Sequence, residues 1–405
     1  MKIPFSPPFI DDDVLNEVQD TLKSGWITSG PKVKALEIET ANLASVKYAL
    51  CVNSATSGLM LSLSWFGIGP GDEVIIPAYT YAATALAVIH LGARPVMADV
   101  NPDLNINAGC VRKLINRSTK AIIPVDIAGW PCDYQPLMEM ISEPEITAIF
   151  NPQSEEQKKL GRILLLSDAA HSIGAVYKNK PAASQSDLSV FSFHAVKNVT
   201  TAEGGAICLS LPASFSESEV YAKMRLMTLN GQTKDAYSKS KTGGWRYDII
   251  LPGFKINMPD ICAAIGLAQI KKYKNDLLLE RKRIAQHYVN RLNKYDWAIL
   301  PQLKTEEKET SYHLFALRIA GFTESQRDKL IEEISQRGVS VNVHFIPLPL
   351  LSYFRTAGYD IKDYPQANAC YVNEISLPIY PQLKIVEVDY IIDAIIDSYL
   401  KVLKK

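Results

Sequence analysis

Residues 162–175 read RILLLSDAAHSIGA. The apolar run at the start of this stretch is typical of a strand that is buried on both faces of a parallel β-sheet. Asp168 ends the run, and mostly small residues follow it. Because ligands of parallel α/β sheets collect beyond the carboxyl ends of the strands, we expect Asp168 to face a binding site.

Six further apolar runs resemble this strand, and helix-like segments such as 56–67 and 81–91 lie between most of the runs. The complete set of predicted strands is 48–54, 73–78, 94–100, 119–127, 162–168, 188–194 and 205–210. Alternating strands and helices predict an α/β fold in which a mostly parallel, seven-stranded sheet is flanked by helices.

The sequence after residue 255 has a different pattern, which predicts a smaller α+β domain. We therefore divide the chain into an N-terminal segment plus large α/β domain at 1–255 and a small domain at 256–405. The predicted elements of the small domain are a helix from 259 with Pro259 in its first turn, strands at 312–319 and 339–345, and helices at 323–337 and 385–403. Two segments of the large domain are predicted to be irregular: 142–161 as a helix end plus a surface loop, and 232–252 as a mobile loop.

The composition is that of a globular protein, since 47% of the 405 residues are hydrophobic and 21% are charged. Lys plus Arg and Asp plus Glu both number 43, and this zero net charge argues against a nucleic-acid-binding protein, which needs a basic excess. No apolar run approaches the ~18 residues that span a bilayer, and the first residues lack the apolar stretch of a secretory signal. We expect a cytoplasmic protein without a membrane partner. The cysteines show no CxxC spacing, so buried thiols are expected and no metal site is predicted.

The motif NSATSG at 53–58 follows a predicted strand and opens a helix. Small residues there allow backbone amides and the hydroxyls of Thr56 and Ser57 to surround a phosphate at the helix N-terminus. The alternative is an ordinary helix N-cap by Ser54 or Thr56. A GxGxxG dinucleotide fingerprint is absent, which argues against an NAD-dependent oxidoreductase.

Lys197 lies in SFHAVKNVTTAEGG (192–205), directly after another apolar strand and without an acidic neighbour until Glu203. Loss of water would lower its pKa and let the neutral amine form a Schiff base, whereas the alternative is a solvated loop lysine. A buried Asp168 could pair with a protonated heteroaromatic nitrogen, or it could be a helix cap or a core ion pair. A phosphate cradle, a buried carboxylate and such a lysine on one sheet are together what pyridoxal phosphate requires.

Further motifs extend over nearly the whole chain and resemble the nucleotide-sugar aminotransferases of the DegT/DnrJ/EryC1/StrS family, which are pyridoxal-phosphate enzymes of fold type I. Besides SDAAHSIGA and SFHAVKNVTTAEGG, the motifs are SGWITSGP (24–31), GDEVIIPAYTYAATA (71–85), PVDIAGWPCD (124–133), GFKINMPDICAAIGLAQI (253–270), HFIPL (344–348) and SLPIYP (376–381). Their number, order and spacing make the resemblance specific.

The resemblance implies a role for each matching residue. Lys197 would carry the cofactor as a Schiff base and move the substrate proton, and Asp168 would keep the pyridine nitrogen protonated. The remaining implied cofactor contacts are Thr56, Ser57 and Ser192 at the phosphate, Tyr81 stacked on the ring, His171 near the phenolic oxygen, and Asn257 at the phosphate in the neighbouring subunit. The last of these implies a homodimer with shared active sites.

The implied reaction moves an amino group from glutamate to the keto carbon, expected at C4, of a UDP-linked 4-keto-6-deoxy sugar for a surface polysaccharide. A lysine rather than a histidine at 197 favours amino transfer over dehydration; the alternatives are a cofactor-binding regulator without turnover and a deoxysugar dehydratase of the same family. The candidate substrate contacts are Trp26, Thr28, His313 and His344. Trp26 could instead be a hydrophobic plug, and the two histidines could be hydrogen-bonded core residues.

Overall fold

The computed structural model describes residues 1–233 and 245–404. Its strands are β1 (Tyr48–Val52), β2 (Glu73–Pro77), β3 (Arg94–Ala98), β4 (Thr119–Ile122), β5 (Leu164–Asp168), β6 (Val176–Tyr177), β7 (Lys180–Pro181), β8 (Leu188–Ser192), β9 (Gly205–Leu209), β10 (Ala298–Ile299), β11 (Lys308–Glu309), β12 (Phe315–Ile319) and β13 (Glu374–Leu377). All seven strands predicted for the large domain are present, each with shorter bounds than the apolar run that indicated it.

These seven strands form one sheet in the order β1-β9-β8-β5-β4-β2-β3. Neighbours from β8 to β3 pair in parallel, whereas β9 runs antiparallel to both β1 and β8. The prediction of a mostly parallel, seven-stranded sheet is therefore confirmed. Two smaller sheets have the orders β10-β12-β13 and β11-β6-β7.

Helices cover the sheet and build the rest of the chain. They are α1 (Asp12–Lys23), α2 (Pro31–Ala44), α3 (Ala55–Trp65), α4 (Ala82–Ile89), α5 (Ala108–Leu114), α6 (Tyr134–Ser142), α7 (Pro144–Ile149), α8 (Glu155–Leu160), α9 (Glu217–Thr228), α10 (Asp260–Lys272), α11 (Leu278–Leu292), α12 (Glu324–Gln336), α13 (Ser352–Thr356), α14 (Pro365–Tyr371) and α15 (Ile385–Leu403). A π-helical segment, Tyr273–Leu277, joins α10 to α11. Short 3₁₀ turns occupy Ile127–Gly129, Ala182–Ser184, Leu348–Leu350 and Ile361–Asp363.

The central strands are apolar on both faces because both faces are covered. Every residue of β5, β8 and β9 is buried, and hydrophobic clusters form on the two sides of the sheet. Helix α10 contributes to one of these clusters, next to α2. The sheet is thereby fixed between two layers of helices, and its strand ends become a rigid platform.

A separate hydrophobic cluster joins α11, α12 and α15 to β12 and β13. The beginning of the chain belongs to it as well, since Ile3 is buried there and its backbone N–H donates to the carbonyl of Gly338 at 2.8 Å. The division of the chain at 255/256 remains a prediction. Helix α10, which follows this position, packs on the large sheet.

Two predictions of local structure were wrong. The segment 142–161 contains the helices α7 and α8 rather than a loop, because Pro144 opens one helix and Ser154 caps the other by accepting from the backbone N–H of Gln157. The segment 339–345 is not a strand, although its valines alternate with polar residues. Val339 and Asn342 form single bridges to different partners, Ile3 and Ser376, so no ladder is built.

Two further differences are smaller. Pro259 is the N-cap of α10 rather than part of its first turn. The middle of the predicted loop 232–252 lies outside the described residues, whereas Thr233, at its start, donates its backbone N–H to the carbonyl of Asp248 at 2.9 Å. Within the described ranges, no helix combines the length and apolar character needed to cross a membrane.

Candidate active site

A cavity of about 470 Å³ lies at the carboxyl edge of the large sheet. Its walls come from the ends of β1, β2, β5 and β8, and from two segments of the C-terminal part of the chain, at 313–314 and 344–345. Of the residues singled out from the sequence, those that line it are Thr56, Tyr81, Asp168, His171, Ser192, Lys197, His313 and His344. The fold thus brings together side chains that are far apart in the sequence.

Lys197 reaches the cavity from the turn that follows β8. Its backbone N–H donates to the carbonyl of His194 at 2.9 Å, which fixes this turn. The side chain is half-buried, and its removal from water lowers the pKa of the lysine to about 8 despite the opposing charge of Asp168. The neutral amine is therefore much more accessible near physiological pH than that of an exposed lysine, as a Schiff-base lysine requires.

Asp168 lies at the end of β5 with 6% of its surface exposed. The hydroxyl of Thr84 donates to Oδ2 at 2.8 Å, and the backbone N–H of Ala170 donates to Oδ1 at 3.3 Å. Burial raises the pKa of this carboxyl, whereas the two hydrogen bonds and the charge of Lys197 lower it. Burial removes the water that stabilises the charged carboxylate. A cationic N–H group in the cavity would replace this stabilisation.

The N-terminus of α3 forms a second wall of the cavity. Ser54 caps the helix by accepting from the backbone N–H of Ser57 at 3.1 Å, so the capping alternative is correct for Ser54. Ala55 and Thr56, at the start of α3, nevertheless line the same cavity as Ser192, and the first N–H groups of a helix have no partner within the helix. A cap and an anion cradle are therefore compatible at this helix end.

Gly205 allows these elements to approach one another. A Cβ atom at this position would lie 2.7 Å from the carbonyl oxygen of Phe191 and 2.8 Å from the backbone nitrogen of Ala55. Both neighbours are backbone atoms, so neither can move without shifting a strand or the helix end. The cradle follows β1, Lys197 follows β8 and Asp168 ends β5, so the lysine lies between the other two in the sheet order. These residues fit pyridoxal phosphate.

Replacing Gly205 with Ala should disrupt the cradle. We expect the variant to lose about 1–3 kcal/mol of unfolding free energy through overpacking and to retain pyridoxal phosphate poorly. Denaturant titration and the absorbance of bound cofactor would measure the two effects. Gly69→Ala is a matched control, because a Cβ atom there would lie 4.0 Å from the Leu91 carbonyl oxygen, which is an ordinary contact. Normal stability and cofactor retention in the Gly205 variant would contradict this description.

Hydrogen bonds fix the orientation of two histidines that line the cavity, His171 and His313. Nδ1 of His171 accepts from the backbone N–H of Ala128 at 3.2 Å, so its proton lies on Nε2. Nδ1 of His313 lies 2.9 Å from Oδ1 of Asn198, so His313 is both a hydrogen-bonded core residue and part of the wall. Burial lowers the pKa of both imidazoles well below the usual value, which keeps them neutral.

Tyr81 lines the cavity as the N-cap of α4, with 62% of its surface exposed. Its ring centroid lies 5.6 Å from that of Phe345. Phe5 lines the cavity as well and stacks on His344 at 5.4 Å. Aromatic surface therefore surrounds the opening, where a planar ligand ring would find stacking partners.

The other four candidates lie outside this cavity. The hydroxyl of Ser57 is 2.9 Å from that of Ser54. Asn257 donates to the hydroxyl of Ser29 at 2.7 Å. Trp26 donates its indole N–H to the Ser29 carbonyl at 3.2 Å. The Thr28 carbonyl accepts from the backbone of Asp260 at 3.3 Å. Three of the four thus meet where the loop before α2 packs on the start of α10.

Sequence reasoning missed Thr84, Phe5 and Phe345. Thr84 had a usable signal, since it stands one helical turn after Thr80 within AYTYAAT and the two hydroxyls lie 2.9 Å apart. Phe5 and Phe345 had none, because only the folded chain shows that they meet at the cavity.

Comparisons with known proteins agree with this geometry. The profile of the DegT/DnrJ/EryC1/StrS aminotransferase family matches residues 8–151 and 155–396. The spore coat polysaccharide biosynthesis protein SpsC of Bacillus subtilis is 34% identical over 402 residues, which is 98% of this chain and 96% of that protein.

Among solved structures, the PMP form of Spr1654 from Streptococcus pneumoniae, provisionally named a sugar aminotransferase, has a TM-score of 0.95 and 42% identity over 99% of this chain and 100% of that chain. The PLP form of the same protein has a TM-score of 0.94 and 40% identity, with the same coverage. PseC of Helicobacter pylori, an aminotransferase involved in the biosynthesis of pseudoaminic acid, has a TM-score of 0.86 and 26% identity over 99% of this chain and 100% of that chain.

Proposed function

Because the chain belongs to the DegT/DnrJ/EryC1/StrS aminotransferase family, we propose that it uses pyridoxal phosphate to transfer the amino group of glutamate to the keto carbon of a nucleotide-linked sugar. The acceptor is a UDP-linked 4-keto-6-deoxy hexose that is aminated at C4, and the product serves a surface polysaccharide. The observation that carries this proposal is the shared cavity of Lys197, Asp168 and the N-terminus of α3. The names of SpsC and PseC support the sugar and polysaccharide assignment.

The cofactor, when bound, supplies an electron sink and a carbonyl carbon that exchanges amines. Asp168 would hold a proton on the ring nitrogen, helped by the hydroxyl of Thr84, which donates to its Oδ2. The N-terminus of α3, Thr56 and Ser192 would hold the phosphate. Lys197 would take the proton from Cα of glutamate and later give a proton to the sugar carbon that gains the amino group. A pKa of about 8 is well suited to both transfers.

We further propose that two copies of the chain share their active sites. Asn257 lies outside its own cavity and is half-exposed, as expected for a residue that reaches a neighbour's phosphate. Apolar side chains near it in sequence are exposed as well, which favours burial in a dimer; they are Trp245, Tyr247, Ile249 and Ile250. Trp26 and Thr28 lie beside Asn257 rather than at their own cavity, so any contact they make with substrate would also be in the neighbouring subunit.

Mass spectrometry of products tests the proposed reaction. The protein is incubated with pyridoxal phosphate, ¹⁵N-glutamate and, separately, 4-keto and 3-keto nucleotide sugars. We expect ¹⁵N in the product of a UDP-linked 4-keto-6-deoxy sugar and formation of 2-oxoglutarate, with reactions lacking glutamate as the control. Loss of water without nitrogen gain would instead indicate a dehydratase. A protein that binds the cofactor but converts no glutamate would be a regulator without turnover.

A further inference from the structure

A hydrogen-bonded chain runs from the cavity into the interior of the small domain. Nδ1 of His344 lies 2.9 Å from the hydroxyl oxygen of Ser376, and this hydroxyl lies 2.6 Å from Oε1 of Glu374. The other carboxyl oxygen, Oε2, accepts from the backbone N–H of His344 at 3.0 Å. Glu374 and Ser376 are both fully buried on β13, whereas His344 lines the cavity.

The single proton of the Ser376 hydroxyl links the two ends of this chain. When Glu374 is ionised, the hydroxyl donates to the carboxylate, and the imidazole must donate from Nδ1 to the serine oxygen. When Glu374 is protonated, it donates to the serine oxygen, and the hydroxyl donates to Nδ1. The imidazole proton then lies on Nε2. Any other arrangement leaves a donor or an acceptor of this chain without a partner, which is costly in a buried site.

We propose that Glu374 is a positioning residue that acts through Ser376 and sets whether Nε2 of His344 accepts or donates a hydrogen bond in the cavity. The protonated form of Glu374 presents an Nε2–H donor, which suits the oxygen of a keto group. The ionised form presents an acceptor, which suits a hydroxyl or amine. This inference rests on the proposed function for the identity of the ligand, but the chain of hydrogen bonds does not depend on it.

The electrostatics allow both forms of Glu374. Burial raises the pKa of this carboxyl to about 8, against the opposing effects of its hydrogen bonds and of Arg327 and Arg318. Arg318 faces it across the β12–β13 pair, and Arg327 on α12 donates to its backbone carbonyl at 3.2 Å. Tyr79, after β2, donates to the His344 carbonyl at 2.9 Å.

His344 itself stays neutral throughout. Burial and the charge of Lys197 lower the pKa of its imidazole to about 3, so between pH 6 and 10 its tautomer changes but its charge does not. On passing from high to low pH, the net event is the uptake of one proton at Glu374, while the imidazole loses the proton on Nδ1 and gains one on Nε2 from the cavity side.

The test is the tautomer of His344, measured in the cofactor-loaded protein by long-range ¹H–¹⁵N spectra after ¹⁵N-histidine labelling. The chain has 6 histidines, and His344→Phe identifies the signals of this one. We expect wild-type His344 to change from the Nε2–H to the Nδ1–H form as the pH rises through about 8. A kinetic pH profile alone would not separate this change from the titration of Lys197, which has a similar pKa.

Two variants distinguish the effect of the hydrogen-bonded chain from general effects on the fold. Glu374→Gln mimics the protonated acid, because its amide donates to Ser376, and should hold the Nε2–H form at every pH. Ser376→Ala should uncouple the tautomer from pH. Glu333→Gln is the matched control: Glu333 is a buried carboxyl of α12 that pairs with Lys401 at 2.6 Å, and its loss should leave the wild-type transition unchanged.

A tautomer that is the same in wild type, Glu374→Gln and Ser376→Ala, or that ignores pH in the wild type, would overturn the proposal. The spectra require no substrate. A negative result here therefore leaves the amino-transfer proposal intact, and failure of the keto-sugar assay leaves the tautomer result intact.

Discussion

Replacing Lys197 with Ala is expected to lower the rate of amino transfer by at least roughly 10⁴-fold, the scale seen when a nucleophile that also moves protons is lost. Three of the titratable side chains that line the same cavity are poorly suited to replace it. Burial lowers the pKa values of His171 and His313 in the cavity wall well below the usual range, and Asp168, at the end of β5, is held by a hydrogen bond from Thr84 of α4. The variant should still bind pyridoxal phosphate non-covalently, because the cradle and Asp168 remain.

Borohydride reduction followed by peptide mapping measures the attachment directly. In the wild-type protein the label should lie on the peptide that contains Lys197, and in the variant it should be absent. Lys223→Ala is the matched control, since Lys223 lies on α9 and forms a surface ion pair with Glu156; it should label and react normally. Near-normal transamination by the Lys197 variant would show that the lysine has been misassigned.

Replacing Asp168 with Asn should slow both half-reactions by roughly 10²- to 10³-fold, the usual cost of losing one preorganised electrostatic contact. The two side chains have nearly the same shape, so packing should change little. What changes is the charge: a neutral amide cannot hold the ring nitrogen protonated. Removing the carboxylate should also lower the pKa of Lys197 below about 8, because Asp168 is the group that raises it.

Stopped-flow absorbance with glutamate would follow the first half-reaction in this variant. Asp72→Asn provides a control carboxyl, since Asp72 precedes β2 at the opposite edge of the sheet, where it accepts from the backbone N–H of Gly69 at 3.0 Å. An unchanged rate in the Asp168 variant, with cofactor bound at full occupancy, would rule out the pairing with the ring nitrogen.

The large sheet was predictable because its strands are buried on both faces, so that even short segments such as β5 and β8 are continuously apolar. Where a segment is not buried on both faces, its hydrophobic pattern can predict the wrong element. The alternating valines at 339–345 predicted a strand, yet the backbone there bridges first to the N-terminus and then to Ser376. Pairing partners so distant in sequence leave no local trace.

The same distinction holds for the candidate site. Asp168 and Lys197 could be identified because the first ends a strand, the second lies just after one, and each has few residues near it in sequence that would satisfy its charge. Thr84 had a usable signal in its spacing from Thr80, but its hydrogen bond to Asp168 is visible only in the folded chain. Phe5 had no such signal, since its importance depends on a contact with His344 that only the tertiary structure creates. Glu374 was missed for a related reason: its link to the cavity passes through Ser376 and His344.

Strand β1 stands at the margin of the large sheet, and β9 is its neighbour there. During translation β1 leaves the ribosome roughly 150 residues ahead of β9, which at about 5–20 residues per second is a delay of roughly 8 to 30 seconds. Throughout that interval the short segment YALCV lacks β9, the strand with which it pairs in the folded protein. Nascent chains of this protein should therefore depend on chaperones until residue 209 has emerged, and slower elongation should increase their aggregation.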